Sequence, residues 1–378
     1  LTIWILSAAT LLLSGVMAHL RFRGLAIVGA MVLAPLPALA LAMLLQADFS
    51  TPSFGAVQPA LAYAVGFAVA AVIAERHLLL SAEGAARSGF NAAVLRSELP
   101  FALSILCIST LCPLLLAGLG GGDFRNGALI LAAANLAATL SSTVAVWVIL
   151  SILPNGEDLI ARANRTREAW IRRLDLFAPI LQSRWSRSVA GIFLVFVILA
   201  SFGSAGLTVS EPVRDLGLAC LGGAAAILAL AAYIDAQDWR RALAITIVTA
   251  ICLLMATWGF SSSGAVLDGT LLLYGVEVTI LCFVPVAAIG AGMGRHSSLG
   301  GISFTAVTDR GPATLTACMG GVAIMLLWIS QAAPERTGAL LALAFAAVAA
   351  LLFLPALVRV IEDFLPRRRS LAERYRTR

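Results

Sequence analysis

One acid sits inside an otherwise apolar run, Leu272-Leu273-Tyr274-Gly275-Val276-Glu277-Val278-Thr279-Ile280-Leu281, within a stretch from about Gly269 to Gly292. A carboxylate at mid-membrane depth costs at least about 2.5 to 3.5 kcal/mol on insertion scales, so such a residue usually faces a partner, a cavity or a proton path. The chemistry open to Glu277 is proton carriage, because a carboxyl that loads and unloads a proton biases a two-state bundle between its conformations. Four hydroxyls are expected to hydrogen-bond one or other protonation state: Tyr274 and Thr279 on the same helix, and Thr314 and Thr316 across the bundle. The competing use of a buried acid is a permanently protonated carboxyl that bonds neighbouring helices together, a real but modest stabiliser.

The remaining reactive residue types form no second constellation. Asp268 stands at the outer edge of the same run, where a solvated acid costs little. His19, His77 and His296 each fall at a span end next to arginine, and their spacing calls for no metal site. Six cysteines (107, 112, 220, 252, 282, 318) lie singly in or at the edges of apolar spans and read as small core hydrophobes. Asn135, Ser141, Ser142 and Thr143 make a polar patch inside another apolar run, where packing between helices is the expected role. The run Gly118-Leu119-Gly120-Gly121-Gly122 lacks the Lys-Ser/Thr of a phosphate loop and reads as a turn. No Walker motif, Gly-x-Ser-x-Gly or His-Glu-x-x-His occurs, so neither an enzyme nor a cofactor is expected.

The elements that position Glu277 follow from composition. The hydrophobic fraction is 60%, the charged fraction 12% and the mean hydropathy +0.96. Apolar runs near the length of a membrane crossing recur throughout, continuous rather than alternating, which indicates a polytopic all-α bundle and excludes a β-barrel. Eleven spans are expected, over 2–18, 24–46, 57–75, 99–118, 127–152, 189–206, 216–234, 242–260, 269–292, 312–331 and 338–361.

All 26 basic residues are arginine, and only Arg125, Arg214 and Arg336 fall in one set of loops, so the other 23 mark the opposite, cytoplasmic set by the positive-inside rule. The net charge of +6 therefore reports topology and not nucleic-acid binding. From Glu157 to Arg187 the chain is polar, with Trp170, Ile171, Leu174, Phe177, Ile180, Leu181 and Trp185 at helical spacing. That segment is expected to lie on the anionic inner leaflet as an amphipathic helix, and also to link two bundles.

Two halves share local patterns. Arg76-His77 and a short loop precede Phe90-Asn91-Ala92-Ala93-Val94-Leu95-Arg96, and Arg295-His296 and a short loop precede Phe304-Thr305-Ala306-Val307-Thr308-Asp309-Arg310. The last spans open alike, at Gly127-Ala128-Leu129 and Gly338-Ala339-Leu340. Both copies start on the outside, so parallel repeats about an axis along the membrane normal are expected. The organisation read from this is a first repeat over 1–152, a linker over 153–188, an extra helix plus second repeat over 189–361, and a basic cytoplasmic tail over 362–378.

Five helices, an extra helix and five more helices resemble the membrane part of the resistance-nodulation-division (RND) superfamily without its first helix, and in particular its MMPL-type lipid exporters, which are related to sterol-sensing bundles. Gly275-Val276-Glu277-Val278, Arg310-Gly311-Pro312-Ala313-Thr314-Leu315-Thr316 and Leu354-Pro355-Ala356-Leu357 carry the likeness. In the family a Gly-hydrophobic-Asp-Tyr motif on the fourth and tenth helices holds proton-coupling acids. Here the tenth-helix position reads Glu277-Val278 and the fourth reads Gly66-Phe67-Ala68-Val69, without an acid. The chain opens at Leu1 in an apolar run, and only a short stretch near Ser204 to Asp215 stands where a porter domain would insert. The absent first helix favours removal of that helix and the porter domains over a reduced, porter-less relative.

The resemblance implies a proton-motive-force-driven exporter in a bacterial inner membrane. It implies membrane lipids and protons as partners, a lipid or other hydrophobic cargo and a periplasmic partner. The alternative is a non-transporting, sterol-sensing-like sensor or scaffold, in which Glu277 is structural.

Overall fold

The apolar runs fold as helices, as they must where no water satisfies backbone N–H and C=O groups. A computed structural model describes residues 29–30, 32–49, 62–70, 73, 87–118, 122–152, 183–209, 211–236, 238–264, 266–267, 269–293 and 333–365. In chain order the elements are α1 (Leu36–Phe49), α2 (Arg87–Leu116), α3 (Gly122–Ile152), α4 (Ser183–Ser204), β1 (Thr208–Val209), α5 (Glu211–Ala236), α6 (Trp239–Ser262), β2 (Val266–Leu267), α7 (Gly269–Met293), α8 (Ala333–Val348) and α9 (Leu354–Phe364). Residues 62–70 are helical as well. Among the described residues, Leu99–Leu116, Phe124–Ile149, Ser186–Ser204 and Trp239–Ser262 are long and apolar enough to cross a membrane, and shorter apolar helices run over Ala219–Ile234 and Leu271–Ala287. The expected spans 2–18 and 312–331 lie outside the described residues, as do most of the linker and the tail.

The helices depart from the expected spans where local chemistry intervenes. α4 starts at Ser183, inside the expected linker, because a polar turn carrying Arg184 and Arg187 prolongs the helix beyond the apolar part. The expected span 24–46 is interrupted by a turn at Ala34 and Pro35, just before α1. Pro35 has no N–H to give, and the Val32 carbonyl instead accepts the Tyr63 hydroxyl at 3.0 Å. The span 338–361 is divided by a π-helical turn, Ala349–Phe353, between α8 and α9. Pro355 near the start of α9 accounts for it, since the ring cannot fit the regular α-helical ladder of the preceding turn. The connection after α4 contains β1, which pairs in parallel with β2 through Thr208↔Val266 and Val209↔Leu267, joining two loops at the outer end.

α7 is the axis of the bundle. It packs against α2 from the first set and against α5, α6 and α8 from the second. Leu271 to Val278 and Ile280 to Ala287 are buried, as expected of a helix apolar on every side. α4 is the opposite case, with Ile192, Leu194, Val195, Ile198, Leu199 and Phe202 all turned outward. In a membrane those side chains meet hydrocarbon, so they lose nothing by exposure. Helix association then depends on close packing and small residues rather than on escape from water. Gly338 of α8 shows the tolerance, since a Cβ there would fall 2.2 Å from the Phe260 ring of α6.

At the start of α6, Asp238 caps the helix by accepting from the Arg240 N–H at 3.0 Å. Arg240 and Arg241 are buried there, and Arg241 approaches Glu362 of α9 at 3.9 Å. Arg241 thus ties the start of α6 to α9.

Candidate functional site

Glu277 lies eight residues into α7 and is fully buried. Its partner comes from the first set of helices. Asn135 of α3, also fully buried, donates through Nδ2 to Glu277 Oε1 at 2.6 Å and to the Ser109 carbonyl of α2 at 2.9 Å. This pair of bonds orients the amide. Both amide hydrogens are spent on acceptors, and turning the group over would set its oxygen against the Ser109 carbonyl. Asn135 therefore always offers Glu277 a donor, which suits either a carboxylate oxygen or the C=O of a protonated acid. Oε1 is the held atom in both states, and Oε2, which has no hydrogen-bond partner among the described residues, is where a proton would load.

An amide partner brings no charge of its own. Among the described residues the buried charged side chains are Glu277, Arg240 and Arg241, and the two arginines sit in the first turn of α6. Protonation of Glu277 consequently switches a full charge on and off in the middle of the bundle. An arginine partner would instead hold the acid ionised. The Cys112 thiol of α2, which interacts electrostatically with Glu277, donates weakly to the Cys220 carbonyl of α5 at 3.9 Å.

The hydroxyls expected around Glu277 divide differently. The Thr279 hydroxyl donates to the Gly275 carbonyl of its own helix at 2.7 Å and faces away from the acid. The reason is helical geometry: two residues along an α-helix turn the side chain about 200° around the axis. The Tyr274 ring packs edge-on against Phe260 of α6, with centroids 6.0 Å apart. Thr314, Thr316, Asp268 and the three histidines lie outside the described residues.

The polar patch on α3 is also redistributed. Ser141 and Thr143 bond back to the Ala138 and Thr139 carbonyls of α3 itself, at 3.2 and 2.7 Å. Asn135, expected only to pack, is the ligand of Glu277. The signal that pointed to it is in the sequence, since an amide in an apolar span needs a partner as much as an acid does, but the two lie 142 residues apart. At the position expected to match Glu277 in the first half, Gly66, Phe67, Ala68 and Val69 are buried without any polar side chain. Of the six cysteines, Cys112, Cys220, Cys252 and Cys282 are buried, as expected of core hydrophobes, whereas Cys107 is exposed on α2 and is not part of the core.

Thr279 instead lines a crevice between α2, α5, α6 and α7 with about 80 Å³ of free volume, walled by Ile108, Leu221, Leu228, Leu253 and Phe283 among others. Its three threonines are satisfied internally: Thr246 bonds Ala242, Thr249 bonds Ile245 and Thr279 bonds Gly275. With the hydroxyls turned back on their own helices, the wall presented to a guest is hydrocarbon.

No protein-family profile matches the chain, and no curated protein matches it. Among solved structures it is similar to the crystal structure of SecDF, a translocon-associated membrane protein from Thermus thermophilus, with a TM-score of 0.65 and 12% identity over 96% of this chain and 62% of that one. It is also similar to SecDF in a super-membrane-facing form, with a TM-score of 0.50 and 12% identity over 96% of this chain and 61% of the other. The chain thus spans less than two thirds of the length of these neighbours. With the apolar helices, this likeness shows a multi-pass helical membrane fold like that of the SecDF membrane part.

Proposed function

We propose that the chain is the membrane part of a proton-motive-force-driven transporter of a bacterial inner membrane, with Glu277 as the proton carrier. The observation that carries this is the asymmetry of one buried carboxyl: Oε1 held by Asn135 across the bundle, Oε2 without a hydrogen-bond partner among the described residues. Because α7 packs against helices of both sets, a charge switched at Glu277 acts on the contact between them. A difference of a few kcal/mol between the two protonation states is enough to shift a two-state bundle.

A lipid or other hydrophobic molecule is the proposed cargo. The apolar crevice beside Thr279 and Phe283, at mid-height in α5, α6 and α7, supports that class, since the wall it offers a guest is almost wholly hydrocarbon. The proposal includes a periplasmic partner that carries the cargo onward. A second reading is favoured by the neighbours: SecDF is translocon-associated, and a chain of the same fold that works beside a protein translocon would cross-link to it in membranes.

The test of the carrier is labelling with a hydrophobic carbodiimide, which reacts with protonated buried carboxyls, followed by mass spectrometry between about pH 5 and pH 9. Labelling of Glu277 is expected to fall as pH rises, with a midpoint inside that range. Labelling that is flat or absent across it overturns the carrier and moves the sensor or scaffold reading to the front.

A further inference from the structure

Arg240 and Arg241 stand in the first turn of α6 and are buried, at 7% and 4% exposure. Helix geometry gives the direction of Arg240. Trp258 follows after five whole turns at about 3.6 residues each, so the two side chains leave α6 on the same side. Trp258 packs on Gly203 of α4, where a Cβ would fall 2.1 Å from the indole ring. Arg240 therefore leaves α6 on the side of α4, and Arg241, one position round, reaches Glu362 of α9 at 3.9 Å. α4 and α9 close the third side of this junction, with Arg187 4.0 Å from Asp363.

The charges that meet there do not cancel. Arg187, Arg240, Arg241 and Arg359 stand against Asp238, Glu362 and Asp363, four against three. The acids are also poorly placed for the two buried arginines. Asp238 is engaged in the α6 cap, accepting from the Arg240 backbone N–H. Asp363 meets Arg187 where both side chains are largely exposed, a solvated pair that stabilises little. Glu362 stands beyond the about 2.7 to 2.9 Å of a charge-assisted hydrogen bond to Arg241. Among the described residues no acid lies within ion-pair distance of the Arg240 guanidinium, which instead sits 5.7 Å from the Trp239 ring. The Nε atoms of both arginines are enclosed without a hydrogen-bond partner among the described residues, and only Nε of each is so enclosed, which leaves the terminal nitrogens as the edge open to an anion. A guanidinium keeps its charge wherever it is placed, so a buried one requires a counter-charge.

The surroundings indicate which anion. Trp239, beside Arg240, is half exposed, the placement of an aromatic residue at a membrane–water boundary. From the same end α4 runs away with Ile192, Val195 and Leu199 turned outward on one face. A molecule that suits both features has an anionic head and hydrocarbon chains. We propose that the junction of α4, α6 and α9 binds the phosphate headgroup of an anionic membrane phospholipid through Arg240 and Arg241, with its chains along the outward face of α4. Phosphate oxygens match the planar fork of a guanidinium, which explains arginine at these positions better than a point charge would. The site lies at the end of the bundle opposite the β1–β2 pair and uses no part of Glu277, so it stands whether or not that acid carries protons.

The experiment uses the whole chain in an uncharged detergent, with phosphatidylglycerol as the probe, phosphatidylcholine as the comparison and bound lipid counted by native mass spectrometry. Wild type is expected to bind phosphatidylglycerol at least about tenfold more tightly than phosphatidylcholine, and Arg240→Gln to lose most of that preference. Arg125→Gln removes the same charge from an exposed position at the other end of the bundle, and is expected to leave the affinity within about twofold of wild type. Equal binding of the two lipids by wild type, or an equal loss in the two variants, overturns the site.

A second arm needs no variant and separates a lipid from a free ion. Phosphatidylglycerol is expected to raise the thermal midpoint of the wild-type chain, while millimolar inorganic phosphate leaves it where it was. A ligand that binds only the folded chain must stabilise it, so a midpoint that phosphatidylglycerol does not move overturns the site. Inorganic phosphate that gives the same rise and displaces the lipid assigns the arginines to the free ion and overturns the lipid.

Discussion

Residues 62–70 and the middle of α7 are built from the same kind of sequence and are buried to the same degree, yet only α7 carries a carboxyl. Gly66-Phe67-Ala68-Val69 and Gly275-Val276-Glu277-Val278 differ at one position in chemistry that matters, Ala68 against Glu277. The surroundings differ accordingly. Around Gly66 the neighbouring helices close in until a single Cβ would collide with Ala138 and Pro35. Around Glu277 an amide from α3 reaches across the bundle to hold the acid. The comparison teaches that burial alone does not make a switch; a buried acid needs a neutral partner that tolerates both of its states.

Transplanting the acid breaks the comparison most severely. Ala68→Glu puts a carboxyl where the described neighbours offer no dedicated partner and no space, and should destabilise the protein by about 3 kcal/mol, read as a drop in thermal midpoint in detergent. An unchanged midpoint would mean that the two regions are equivalent after all.

Asn135→Leu tests the partner. It strands Glu277 Oε1 and the Ser109 carbonyl together, and a loss of about 1 to 2 kcal/mol is expected. A double-mutant cycle with Glu277→Gln should show that the two effects are not additive. Additive losses would disconnect the pair.

Glu277→Gln keeps shape and still presents an oxygen to Asn135, so stability should move by about 1 kcal/mol or less while proton-driven transport in vesicles is lost. Transport that persists would retire the acid as carrier.

The smallest effect belongs to Thr279→Val. Its hydroxyl serves only its own helix, so midpoint and transport should both stay within about 0.5 kcal/mol of wild type. A large effect would restore Thr279 to the site from which the geometry removes it.

The sequence by itself determined the class of molecule. Continuous apolar runs admit only helices in lipid, because that follows from transfer energies that each residue carries with it. It also marked Glu277, since an acid in such a run is anomalous in any bundle. Hydropathy did not separate α7 from α4, although one is enclosed and the other faces outward, because lipid and protein interior are equally apolar solvents for leucine.

What only the tertiary structure decided is which polar groups meet. Proximity along α7 nominated Thr279, which the helical turn points elsewhere. Asn135 reaches Glu277 because the packing of α2, α3 and α7 sets their rotation and height, and no local pattern on any one of them records that. The same packing buries Asn135, Thr139 and Ser142 on one face of α3 and leaves their side-chain oxygens without hydrogen-bond partners among the described residues. Transfer energies are properties of residues, whereas hydrogen-bond partnership is a property of pairs, and the pairs exist only once the helices have docked.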